Sequence, residues 1–275
     1  MGKHFFLYKS AVVASLAGFL FGFDTEVISV VEQAIQKLWV LYSMLHGLVI
    51  SMALWGTVLG SLVGGWPTEY FGRKKTLIWI GVLYLISAAG SALTTEVYSF
   101  MFFRFLGGLG VGISTIAAPM FISEIAPPKY RGRLTGMFQF NIVFGILIAF
   151  LSNSLLGDIG ENSWRWMLGV LAFPSLLFTI LCFGLPESPR WLIVRKNDLG
   201  GGLAVLKKTG SGSTEEEIKH LYNQIINTAD EKQQGGALFT RRLLKPVLLA
   251  FFIAFFNQLS GINAILYFAP RIFEM

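Results

Sequence analysis

Charged side chains fall in clusters along this chain, and between the clusters lie long runs that carry none. The charge-free runs are Leu38–Thr68, Thr76–Thr95, Phe105–Ser123, Leu134–Gly157, Trp166–Pro186 and Pro246–Pro270. Each is about long enough to cross a hydrocarbon core of roughly 30 Å as a helix. A seventh run, Ser10–Val31, is apolar except for Asp24 and Glu26. The pattern predicts seven transmembrane helices, near 10–31, 46–67, 76–95, 99–123, 134–156, 166–185 and 244–270. The polar stretch 186–245 separates the last two. It predicts one helix over 215–228, with acids in the first turn, where the helix dipole favours them.

Composition agrees with this all-α integral membrane reading: 54% of the 275 residues are apolar and 14% are charged, which is not the balance of a soluble globule. The net charge of +6 raises the question of nucleic acid, but its distribution answers it. If the N-terminus is inside, the inner segments 1–9, 68–75, 124–133 and 186–245 hold 2, 3, 3 and 10 Lys and Arg, or 18 of the 22. That asymmetry is the positive-inside signature of a cell-membrane protein with a cytoplasmic N-terminus. The partner it implies is a lipid bilayer, not DNA or RNA. Cys182 is the sole cysteine, so no intrachain disulfide is possible. The opening MGKHFFLYKS resembles a signal-peptide n-region, but no small-residue cleavage site follows, so an uncleaved first helix is expected. Three His and one Cys, with no nucleophile–base or metal-ligand constellation, argue against an enzyme and against a cofactor or metal.

Ionisable groups inside a bilayer are costly and usually paired. In the topology above, helix one runs outward and helix four inward. Asp24 then lies about 10 Å below the outer surface and Arg104 about 8 Å, at 1.5 Å per residue. At similar depth, the two can meet. Glu26 lies about 200° around helix one from Asp24, so it points away and is expected near the outer aqueous vestibule. GGLGVG at 107–112 echoes a dinucleotide loop, but it lies mid-helix with no preceding strand and reads as small-residue helix packing. Gly261 allows a bend or break in helix seven.

Four stretches carry a family resemblance: GGWPTEYFGRKKTL (64–77), FRFLGGLGVGISTIAAPMFISEIAPPKYRGRL (103–134), PESPRWL (186–192) and NQLSGINAILYFAP (257–270). With GFLFGFDT (18–25), they make the whole chain resemble the sugar porters of the major facilitator superfamily, in that family's order and spacing. The resemblance implies twelve helices in two six-helix bundles. On that plan, residues 1–185 are the N-terminal bundle and 186–243 an intracellular helical link. Residues 244–275 are then the first helix of a second bundle in a truncated chain, monomeric when full length.

The resemblance also implies roles. Asp24 matches the titrating acid of proton-coupled members, paired with Arg104, where uniporting relatives carry Asn. Glu69 and Arg73, Glu124 and Arg131, and Glu187 and Arg190 match a cytoplasmic gate of ion pairs that part as the carrier turns inward. Phe21, Gln139, Ile142, Asn257, Gln258 and Asn263 match the sugar site, with Tyr267 at its extracellular gate. Amides offer both donors and acceptors, which suits sugar hydroxyls. The sequence departs from the family at Glu26 and Val30, where small residues are usual, and at Asn257, where Gln is usual. The implied function is alternating-access transport of a monosaccharide with a proton. The alternatives left open are facilitated sugar diffusion and a non-transporting sugar sensor on the same fold. A seven-helix receptor fits poorly, because a long polar stretch precedes helix seven and that helix has no lysine for a retinal Schiff base.

Overall fold

The computed structural model describes residues 2–160, 162–210, 215–233 and 244–273. The only regular structure among the described residues is helical, without a strand. The elements are α1 (Gly2–Leu38), α2 (Ser43–Val63), α3 (Gly65–Tyr70), α4 (Arg73–Leu93), α5 (Val97–Ile125), α6 (Pro128–Leu156), α7 (Ser163–Gly169), α8 (Ala172–Phe183), α9 (Pro189–Lys196), α10 (Leu199–Thr209), α11 (Glu215–Gln233), α12 (Leu244–Leu259) and α13 (Ile262–Phe273). Six helical segments are long and apolar enough to span a membrane: Phe5–Leu38, α2, α4, α5, α6 and Ser163–Phe183, the last made of α7 and α8 together.

The most buried of the six is the first. α1 stands at the centre and packs against α6, α5 and α13, while α2 lies on α5 and α4 on both α5 and α8. Its buried apolar residues, including Ala14, Ala17, Leu20, Phe23, Val27 and Ile28, cover a broad face of the helix. Asp24, Glu26, Ser29 and Glu32 are carried into protein with them, while Lys9 and Lys37 near the ends are exposed. The GGLGVG segment is a packing surface. A Cβ on Gly108 would stand 2.0 Å from the Ala53 carbonyl oxygen, and one on Gly112 would stand 2.3 Å from that of Thr57. Only bare backbone lets α2 and α5 approach so closely.

Boundaries differ from expectation for identifiable reasons. α1 continues past Val31 to Leu38, because Glu32 finds a partner inside the protein. α2 ends at Val63, and a turn at Gly64 leads into the short α3. α6 starts at Pro128 rather than near 134; proline is preorganised for the first helical position, and the basic residues that follow extend the helix beyond its apolar run. The sixth span breaks between α7 and α8, since Pro174 has no N–H for the Val170 carbonyl; Phe173 N–H takes that carbonyl instead, at 3.2 Å. The expected seventh helix is two helices, α12 and α13. They are divided at Ser260–Gly261, where Gly261 adopts φ +73°.

The link holds two helices besides the expected one. α9 is capped by Ser188, whose hydroxyl accepts from the Trp191 N–H, and has Pro189 in its first turn. α10 is capped by Asp198, which accepts from the Gly201 N–H at 2.8 Å, and ends in a left-handed Gly210. A small satellite core of Ile193, Leu206 and Ile218 joins α9, α10 and α11.

Candidate functional site

Asp24 and Arg104 meet, as their depths require. The Arg104 Nη1 donates to Asp24 Oδ1 at 2.6 Å, and Nη2 approaches the Asp24 carbonyl oxygen at 3.4 Å. Both residues are almost wholly buried. The pair works because α1 and α5 are adjacent and α5 is glycine-lined where the acid points: Asp24 Oδ2 faces Gly107, with the Ser87 hydroxyl of α4 alongside. Two tyrosines that the sequence did not tie to this pair surround it. Tyr84 of α4 and Tyr267 of α13 are both buried within electrostatic reach of Asp24 and Arg104. An ion pair so enclosed is hard to break by solvent and easy to break by protonating its acid.

Glu26 does not face an aqueous vestibule. Its exposure is 0%, because it lies on the side of α1 where Gly22 closes directly onto the Ile142 backbone of α6. Ser29 Oγ donates to Glu26 Oε1. The other carboxylate oxygen has no hydrogen-bond partner among the described residues. Two turns along α1, Glu32 is equally buried and pairs with His46 of α2, with His46 Nε2 3.0 Å from Glu32 Oε2. Sequence reading missed this pair because helix one was ended at Val31. A histidine within the long charge-free run Leu38–Thr68 was the available signal.

At the opposite end, the gate residues divide into a tight network and two cations outside it. Arg73 Nε and Nη2 each donate to Glu124 at 2.9 Å, a bidentate pair, and Arg73 Nη1 donates to the Thr68 carbonyl. Ser188 Oγ donates to the same Glu124. Glu187 does not meet Arg190. Its Oε1 accepts the backbone N–H groups of Arg73, Lys74 and Ser188 at 2.9–3.1 Å. Burial pushes the Glu187 carboxyl above its ordinary value of 4.5, against the downward pull of those N–H groups and of Arg73. The Glu69 carbonyl accepts from Trp191 Nε1 at 2.7 Å, which ties α3 to α9. Arg131 and Arg190 form no ion pair among the described residues. They line one cavity of about 340 Å³ together with Glu124 and Gln224. Ser188 and Trp191, which the motif reading left without roles, are the residues that fasten α9 to the bundle.

The remaining residues are distributed over four helices, α1, α6, α12 and α13. Phe21 on α1 and Ile142 on α6 are half-buried against the core, and Ile142 packs on Gly18 and Gly22. Gln139 on α6 and Asn257 and Gln258 on α12 are exposed, and Tyr267 is buried. The side chain of Asn263 lies outside those described. Contact of α13 with α1 brings Tyr267 to the Asp24 level.

Residues 10–275 match the family model described as "Sugar (and other) transporter". The chain is 38% identical over 270 residues to the glucose transport protein of Synechocystis, covering 94% of this chain and 57% of that protein. It is 37% identical to the arabinose-proton symporter of Escherichia coli, covering 96% of this chain and 56% of that one. It superposes on the proton:xylose symporter structure bound to 6-bromo-6-deoxy-D-glucose with a TM-score of 0.87, at 30% identity, over 98% of this chain and 63% of that one. The chain thus spans between half and two thirds of the length of the relatives it matches.

Proposed function

The chain belongs to the sugar porters of the major facilitator superfamily, a family of multi-pass membrane transporters and not of enzymes, and from that membership we propose that it forms the first bundle of a proton-coupled monosaccharide symporter working by alternating access. The observation that carries the coupling is the enclosed Asp24–Arg104 pair at 2.6 Å. Protonation releases Arg104, and the two protonation states then prefer different arrangements of the helices around α1. The relatives' names support the substrate class: they include arabinose-proton, galactose-proton and xylose-proton symporters.

On this reading Phe21, Gln139, Ile142, Asn257, Gln258 and Asn263 bind the sugar, and Tyr267 closes over it from the outer side. The Arg73–Glu124 pair, with Glu69, Arg131, Glu187 and Arg190, forms the cytoplasmic gate. On the same reading the protein sits in the cell membrane with its N-terminus in the cytoplasm, which the basic segments support. The deciding experiment is Asp24→Asn in a full-length porter carrying this sequence, reconstituted in proteoliposomes. Accumulation of sugar against its gradient should be abolished, while sugar exchange persists. Undiminished proton-driven accumulation would refute the assignment.

A further inference from the structure

Helix α1 is apolar over most of its length, yet its outer half carries a series of buried groups able to exchange protons, with Asp24 on its α5 side and Glu26 on its α6 side. Asp24, Glu26, Ser29 and Glu32 are each 3% exposed or less, as is the Arg104 partner of Asp24, and His46 is 4% exposed. Close contacts join its members at two points. His46 Nε2 lies 3.0 Å from Glu32 Oε2 and is hydrogen-bonded to the Glu32 carbonyl oxygen at 3.2 Å. Glu32 and Ser29 are three residues apart, hence neighbours on one helix face, and so are Ser29 and Glu26, which are hydrogen-bonded. Tyr267, buried on α13, lies within electrostatic reach of Glu26 and of Asp24. The rise from Asp24 to Glu32 is about 12 Å.

We propose that His46 and Glu32 are the proton-entry site of this carrier, and that Glu26, with Ser29 and Tyr267, passes protons between that site and Asp24. This rests on the reading of Asp24 as the coupling acid. Two observations separate a relay from helix glue. Glu26 keeps one carboxylate oxygen without a partner and has no cation paired to it among the described residues; Glu124, which does serve as glue, is saturated by Arg73 and Ser188. A group that must receive a proton needs a free lone pair. His46 also lies in the first turn of α2, one turn from exposed Tyr42, so the column's far end approaches the surface.

The surroundings offer no competing ion pair. On the elements packed against this half of α1, Arg104 of α5 is taken by Asp24, and Arg165 of α7 donates to the Ala92 carbonyl. Tyr84 of α4 adjoins the Asp24–Arg104 pair, and Cys182 of α8 is buried. α6 has no charged residue from Leu134 to Leu156. Lys37 and Tyr98 are exposed; Lys207 and Lys208 of α10 and the basic residues at the start of α6 and α4 stand at the opposite end. At entry a hydronium O–H breaks as the His46 N–H forms, leaving water; in each later transfer one N–H or O–H bond breaks as the next O–H forms. The single proton ends on the Asp24 carboxyl, and Arg104 is released.

The test has two arms. In the 275-residue chain, labelled at histidine and placed in lipid nanodiscs, the His46 imidazole resonance is assigned by its loss in His46→Gln. Its titration midpoint should move in both Asp24→Asn and Glu26→Gln; a midpoint unmoved in both overturns the relay. In a full-length porter carrying this sequence, His46→Gln and Glu32→Gln should reduce proton-driven uptake at least about tenfold more than sugar exchange. Equal losses in uptake and exchange would mean a structural pair and would overturn the entry site. Should His46→Gln fail to fold, Ser29→Ala supplies the same comparison. Normal uptake in Asp24→Asn would instead refute the coupling acid itself, so the two failures are distinct.

Discussion

A single carboxylate can be read by the number of donors around it. Glu124 receives two N–H groups from Arg73 and a hydroxyl from Ser188; Glu26 receives one hydroxyl. The first is fixed and the second has room to change. Truncating Glu124 to Ala strands the Arg73 guanidinium, which is only 7% exposed, and losing one partner of a buried pair costs about 3 kcal/mol. A clear fall in thermal stability of the chain in detergent is expected for Glu124→Ala, and a change near zero would place the pair in the solvent-screened class. The sequence alone was enough to bring Asp24 to Arg104, because depth along a helix follows from counting residues. It was not enough to place Glu26, because azimuth gives only a direction. What lies in that direction depends on which helix is central, and that is a property of the assembled bundle.

Among elements, the α2–α5 seam is the most demanding. Its closeness depends on residues without side chains, so a large residue there has nowhere to go. Gly108→Leu is expected to abolish folding: a Cβ alone would stand 2.0 Å from the Ala53 carbonyl oxygen, and overlap with backbone cannot be relieved by a rotamer change. Gel filtration in detergent should show aggregate in place of a single species, and a well-folded Gly108→Leu chain would contradict the packing. Helix positions were legible from charge-free runs, and the break at Gly261 from the glycine. The two extra link helices were legible in principle. Ser188 with Pro189, and Asp198 with Gly210, are ordinary start and stop signals, but they were obscured because neither helix has a long apolar run.

For the whole molecule, orientation decides which end of the Asp24 column meets which compartment. The basic segments predict that Glu216 in α11 is cytoplasmic and Asn162, just before α7, is outside. In a Cys182→Ser background, an impermeant thiol reagent added to intact cells should label Asn162→Cys and leave Glu216→Cys unlabelled. The reverse pattern would invert the topology and, with it, the direction in which protons enter. The broken seventh span bears on a different matter, how the chain gets into the membrane at all. The described residues of α12 number 16, about 24 Å of helix, and the bend at Gly261 separates them from α13. A span interrupted in this way is a weaker insertion signal than a continuous apolar helix of roughly 30 Å. The residence of α12 and α13 in the bilayer is expected to depend on α1, already folded and packed against α13. The order of synthesis thus becomes an order of assembly, with the finished first bundle acting as the template on which the next segment is received.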